Sequence, residues 1–163
     1  LLGEKKSRQL VRRASRQNPA AVIAVTGCYA QLAPEKMAEL PGVQLVIGNQ
    51  GRSRIVELVE QGLADSPQMD AFLRKNLENY VGKLDALVLG CTHYTFLAKA
   101  ISRALPGVRL YDGNEGTARQ LKRVLEDRKL LNDGENGSVR LFTSGNDNEV
   151  LPVMRMLLDI PIE

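Results

Sequence analysis

DALVLGCTHY, residues Asp85 to Tyr94, is the stretch on which the fold turns. An unbroken apolar run, Ala86 to Leu89, ends in glycine and gives way to polar residues that open a helix. A strand of this kind is buried on both faces, as in parallel sheets covered by helices. Outward from it, four similar runs recur: Ala21 to Thr26 (AVIAVT), Gln44 to Gly48 (QLVIG), Val108 to Asp112 (VRLYD) and Ser138 to Thr143 (SVRLFT). Amphipathic stretches separate them, and that alternation predicts an α/β fold. The expectation is a single three-layer α/β/α domain over residues 1–163, with a mainly parallel five-stranded sheet of flavodoxin-like or Rossmann-like type.

The stretches between the strands read as helices. Glu4 to Gln17 has a narrow apolar stripe, Leu10, Val11 and Ala14, and predicts a basic surface helix. Pro34 suits the first turn of a helix to Leu40, closed by Pro41-Gly42. Arg52 to Gln61 follows. Asp65-Ser66-Pro67 supplies a capping side chain and an N1 proline for a helix to about Val81. Phe96 to Leu105, Thr117 to Lys129 and Glu149 to Leu158 complete the set, with a turn at Asn132 to Gly137. Two helices, where a simple doubly wound unit has one, join the second strand to the third.

A 44% hydrophobic and 25% charged composition suits a folded, water-soluble α/β chain. No run of eighteen apolar residues and no signal-like N-terminus is present, so no membrane partner is expected and the cytoplasm is the expected compartment. Two cysteines, Cys28 and Cys91, are too few for a disulfide framework and read as free thiols. Residues 1 to 20 carry +5 of a chain whose net charge is +3. The cations Lys5, Lys6, Arg8, Arg12, Arg13 and Arg16 have no interleaved aromatic residues and read as a solvated helix face, not a nucleic-acid surface. Strand order and oligomeric state are not legible.

Cys91 follows a buried strand and precedes a helix, at the sheet edge where α/β sites lie. Helix N-terminal amides are expected to lower its pKa and favour thiolate. Such a thiol serves as a nucleophile, a metal ligand or a carbon-acid base, with His93, the only histidine, exchanging a proton beside it. The plain alternative is a small buried Cys91 and a surface His93. Cys28, Cys91 and His93 would be an acceptable zinc donor count, but their spacing is not diagnostic and no metal is expected. The residues after Gly27-Cys28, Gly90-Cys91-Thr92 and Gly113-Asn114 are candidate seats for a small anion or the carboxylate of glutamate.

LVLGCTHY, with LVEQGLADSPQMDAFLRKNL before it and GTARQLKRVLEDRKLLN and RLFTSGNDNEVLPVMRMLL after it, resembles the C-terminal half of glutamate racemase from about residue 57 to 163. The resemblance implies racemisation without a cofactor: one cysteine removes the α-proton and a second returns a proton on the opposite face. It makes Cys91 one base, gives Thr92 and Gly90 a substrate-binding role and sets His93 to assist proton transfer. Thr95 stands where the family usually has proline, and Tyr111-Asp112-Gly113-Asn114 replaces an Ile-Asp-Ser-Gly type of sequence.

Residues 5 to 59 instead resemble the N-terminal domain of radical-SAM tRNA methylthiotransferases, around Thr26-Gly27-Cys28-Tyr29-Ala30-Gln31. There the cysteine is one of three cluster ligands, and the other two, like the radical-SAM cysteine triplet, do not occur here. The Asp-Ser-Gly loop and Cys-Asn-Thr-Ala turn of a racemase do not occur either. The two resemblances meet near residues 55–60. The resulting expectation is an engineered or recombined chimera, folded but without native activity and without a cofactor. The alternative is residual cofactor-independent glutamate racemase activity, with Cys28 as the second base. Against that alternative stands the expectation that two thiols on one sheet edge point the same way.

Overall fold

The computed structural model describes residues 2–48, 51–132, 134 and 138–159. The chain divides into two compact units, Leu1–Gly113 and Asn114–Glu163.

The first unit holds the sheet. In chain order it runs α1 (Leu2–Gln17), β1 (Ile23–Thr26), α2 (Cys28–Leu32), α3 (Pro34–Ala38), β2 (Leu45–Ile47), α4 (Arg52–Glu60), α5 (Pro67–Leu77), a 3-10 turn (Glu78–Tyr80), β3 (Ala86–Leu89), α6 (Thr92–Thr95), α7 (Ala98–Ala104) and β4 (Arg109–Tyr111). All pairings are parallel, in the order β2-β1-β3-β4. This is the flavodoxin-like order. Its topological switch point lies between β1 and β3, where the chain leaves β1 toward one side of the sheet and later returns on the other.

Strand alternation divides the core. Ile23, Val25, Ala86 and Val88 face α1 and α3 and pack with Leu10, Val11, Ala14 and Met37. Leu87 faces the opposite layer, where Ile55, Leu73, Leu97 and Ile101 come from α4, α5, α7 and the turn before α7. β1 and β3 are buried along their whole length. Side chains also fasten the strands at their N-terminal ends: Val22 N donates to Asp85 Oδ2 at 2.7 Å and Ile23 N to Gln44 Oε1 at 2.7 Å.

Helix ends follow their local chemistry. Ser66 Oγ accepts from Met69 N at 3.2 Å and Pro67 occupies the first turn of α5, as expected. The two-helix connection between β2 and β3 is present as α4 and α5. α1 is more than a surface helix: Val11 is fully buried and Ser7 nearly so.

The expected fifth strand does not form. Residues 138–143 have no strand pairing, and Val139 and Phe142 are 70% and 76% exposed. An apolar run becomes a central strand only with ladder partners and a covered face, and here it has neither. The sheet therefore has four strands. In the second unit, α8 (Asn114–Asp127) and α9 (Asp147–Leu158) bury no residue fully. Asn146 caps α9 by accepting from Asn148 N at 3.0 Å. The turn expected over Asn132 to Gly137 lies largely outside the described residues. No described helix is long and apolar enough to cross a membrane.

Candidate active site at the strand ends

Two Gly-Cys steps meet at the switch point. Thr26 pairs with Leu89 in the ladder, so Gly27 and Gly90, then Cys28 and Cys91, follow in step beyond the strands. Gly90 N donates to Thr26 O at 2.8 Å, extending the ladder by one bond. Gly27 has φ +126°, and a Cβ on it would stand 2.5 Å from the carbonyl carbon of Gly90. Only glycine fits so close an approach.

The approach brings the two thiols together. Cys28 Sγ donates to Cys91 Sγ across 3.6 Å, and both cysteines are free. Cys28 is half-buried; Cys91 is 6% exposed. The two thiols touch although both rise from one sheet edge, as each strand turns into a short helix directly after its glycine. Cys28 begins α2 and Cys91 caps α6.

His93, in the first turn of α6, places its Nδ1 3.8 Å from Cys91 Sγ. Thr92 is exposed, and its carbonyl accepts from Thr95 Oγ1 at 2.7 Å. Gly90 offers neither a free donor nor open space: its N–H is committed to Thr26 O, and a Cβ on it would lie 2.8 Å from that oxygen and 3.3 Å from Ser7 Oγ. Among the described residues, no group of three or more His, Cys, Asp or Glu is arranged to hold a metal.

Burial pushes the Cys91 thiol up from its ordinary value; the backbone N–H groups of His93 and Tyr94 offset this in part, and Cys28 adds to it. The expected depression by a helix N-terminus is thus outweighed. α6 is only four residues long, so its dipole is weak, while the strand end is dry. Burial likewise pushes the Tyr94 phenol well above its usual range, with Cys91 and Cys28 adding to the shift.

A cavity of about 360 Å³ is lined by Thr26, Ile47, Ile55, Leu87, Tyr94 and Leu97 among others, with neither Cys28 nor Cys91 in its lining. Sequence reasoning missed Gly27, Tyr94 and this cavity. A repeated Gly-Cys step at two strand ends was the available signal for Gly27. Nothing local announces the cavity, which is built from segments scattered between Thr26 and Ile101.

Fold and site define an α/β protein with a dithiol centre at the sheet's switch point. Comparison with known proteins gives that class a nearer context. The chain is 38% identical over 108 residues to glutamate racemase from Clostridium acetobutylicum, covering 65% of this chain and 42% of that protein. Its backbone superposes on glutamate racemase from Thermus thermophilus, solved in complex with β-chloro-D-alanine, with a TM-score of 0.71 and 32% identity over 91% of this chain and 57% of the other. A shorter stretch of 59 residues is 52% identical to the threonylcarbamoyladenosine tRNA methylthiotransferase MtaB of Bacillus subtilis, covering 36% of this chain and 13% of that one. No family model matches. The chain spans about half the length of the racemases it matches.

These matches overturn the expectation of an inert chimera. The superposition on the Thermus racemase covers nearly the whole chain, including most of the segment that resembles the methylthiotransferases. That segment supplies a thiol in contact with the racemase-like one.

Proposed function

We propose that the chain carries out cofactor-independent racemisation of an amino acid, glutamate first among candidates, with Cys28 and Cys91 as the two acid/base groups. The observation that carries this reading is the convergence of the two thiols at 3.6 Å on the switch point of the sheet. The racemase relatives support it.

In this reading a thiolate takes the α-proton, the electron pair left on Cα is spread into the carboxylate, and the opposite thiol returns a proton to the other face. Inversion follows because donor and acceptor lie on opposite sides. His93 is placed to exchange a proton with Cys91, 3.8 Å from its sulfur. Thr92, exposed beside Cys91, is a candidate substrate contact, and Gly90 acts through its backbone, letting the end of β3 pack against the carbonyl of Thr26.

A carbon between two sulfurs in van der Waals contact needs them about 7 Å apart. The thiols must therefore part by about 3.5 Å to admit it. α2 and α6, of five and four residues, are the elements that would move.

We further infer that the chain joins segments of two origins within α4, near residues 55–60. The methylthiotransferase-like stretch and the racemase-like stretch support this. The join leaves the two thiols in one sheet.

The test is conversion of L- to D-glutamate followed by circular dichroism, with Cys91→Ala as control. Activity above that variant is the expected result; a rate equal to it rejects the proposal.

A further inference from the structure

Two thiols in contact, one of them within reach of solvent, are more than a pair of proton carriers. We infer that Cys28 and Cys91 are a thiol modification site that closes into a reversible intramolecular disulfide when a low-molecular-weight disulfide is the oxidant. The bond itself follows from the geometry alone; its consequence for racemisation rests on the function proposed above.

The strand register puts the backbone in range. Both residues lie two positions beyond the paired Thr26 and Leu89, on adjacent parallel strands. Neighbouring strands stand about 4.8 Å apart, inside the 4.4–6.8 Å Cα separation that a disulfide spans. The sulfurs need to close from 3.6 Å to bonding distance, about 2.05 Å, a movement that side-chain rotation supplies.

Exposure sets the order of events. Cys28 is half-buried and Cys91 buried, so the Cys28 thiolate meets the small disulfide first. It attacks one sulfur, a mixed disulfide forms on Cys28, and one small thiolate leaves and takes up a proton. The Cys91 thiolate, having given its proton to solvent, then attacks the Cys28 sulfur. The protein disulfide forms and the second small thiol departs. Overall the protein dithiol loses two electrons and two protons, and the small disulfide is reduced to two thiols. The second step is intramolecular between groups already in contact, so the mixed disulfide is short-lived.

Closure has a defined consequence for the site. Sulfurs bonded to each other cannot part to admit a carbon, and neither holds a transferable proton. The oxidised chain is therefore inactive in racemisation, and reduction restores it.

The full chain is equilibrated in oxidised and reduced glutathione at graded ratios, then alkylated, weighed intact and peptide-mapped. The expected product is two hydrogens lighter, carries no glutathione and yields a peptide joining Cys28 to Cys91; Cys91→Ser stops at a glutathione adduct on Cys28. The inference is overturned if both thiols stay alkylatable across the series, or if the wild-type chain accumulates a stable glutathione adduct. Glutamate racemisation is measured on the same samples. A disulfide that forms in a chain already inactive when reduced rejects the racemase reading alone; an active reduced chain that forms no disulfide rejects this inference alone.

Discussion

Gly27 and Gly90 touch backbone to backbone: a Cβ on Gly27 would lie 2.5 Å from the carbonyl carbon of Gly90, and one on Gly90 would lie 2.8 Å from the carbonyl oxygen of Thr26. That contact sets the separation of the two cysteines that follow. Gly27→Ala combines a backbone clash with a φ of +126° that L residues rarely adopt. We expect a loss of about 3 kcal/mol or more, read from urea unfolding, together with loss of racemisation in whatever fraction remains folded. A variant as stable as the wild type would show that the two strand ends do not pack this tightly.

Cys28→Ser and Cys91→Ser test the thiols without emptying the site. Serine is close in size, and neither cysteine fills the centre of the core. Far-ultraviolet circular dichroism is expected to be unchanged, while the racemisation rate falls by about 10²–10⁴-fold in each variant, the usual share of a positioned acid/base group. Equal activity in either variant removes that cysteine from the reaction.

The pH dependence has a worked sign. Burial holds the Cys91 thiol above its ordinary range, so the folded chain binds that proton more tightly than the unfolded chain. The resulting stability is complete below the ordinary thiol pKa and is lost as pH rises through the raised folded value. Urea midpoints of the wild type are expected to fall more steeply on the alkaline side than those of Cys91→Ser. Parallel alkaline profiles would contradict the burial argument.

α5 and α7 are tied by Arg103, whose guanidinium donates to Asp70 at 2.7–3.1 Å and to Asp65 at 2.5 Å. The Arg103 hydrogen bond holds the Asp70 carboxyl below its usual range. A depressed carboxyl gives stability above its unfolded pKa, and that stability disappears as pH falls through the folded value. Arg103→Ala is expected to flatten the acid limb of the stability profile. The effect is modest because the group is solvent-screened. An unchanged acid limb would show that the ion pair contributes nothing.

Much of this was legible in the sequence because the signals were local. The apolar runs at Ile23, Leu45, Ala86 and Arg109 became strands, and Ser66-Pro67 began a helix where a cap and an N1 proline place one. Ser138 to Thr143 carries the same kind of signal and failed, because burial on both faces depends on partners that periodicity does not reveal. The site divided in the same way. Cys91 and His93 stand out as residue types at a strand end, whereas the approach of Cys28 to Cys91 depends on strand order, which sets β1 beside β3 across 63 residues of chain. The direction of the Cys91 shift was misread for a related reason: a helix start is visible in sequence, but the dryness around it is a property of the assembled layers.

The most direct measurement of the central claim is exchange of the α-proton of L-glutamate in D₂O, followed by proton NMR. Transfer between two thiols on opposite faces predicts that D-glutamate formed by the wild-type chain carries solvent deuterium at Cα, and that a variant lacking both Cys28 and Cys91 incorporates none. Deuterium incorporation by the wild-type chain no faster than by that double variant would contradict the account.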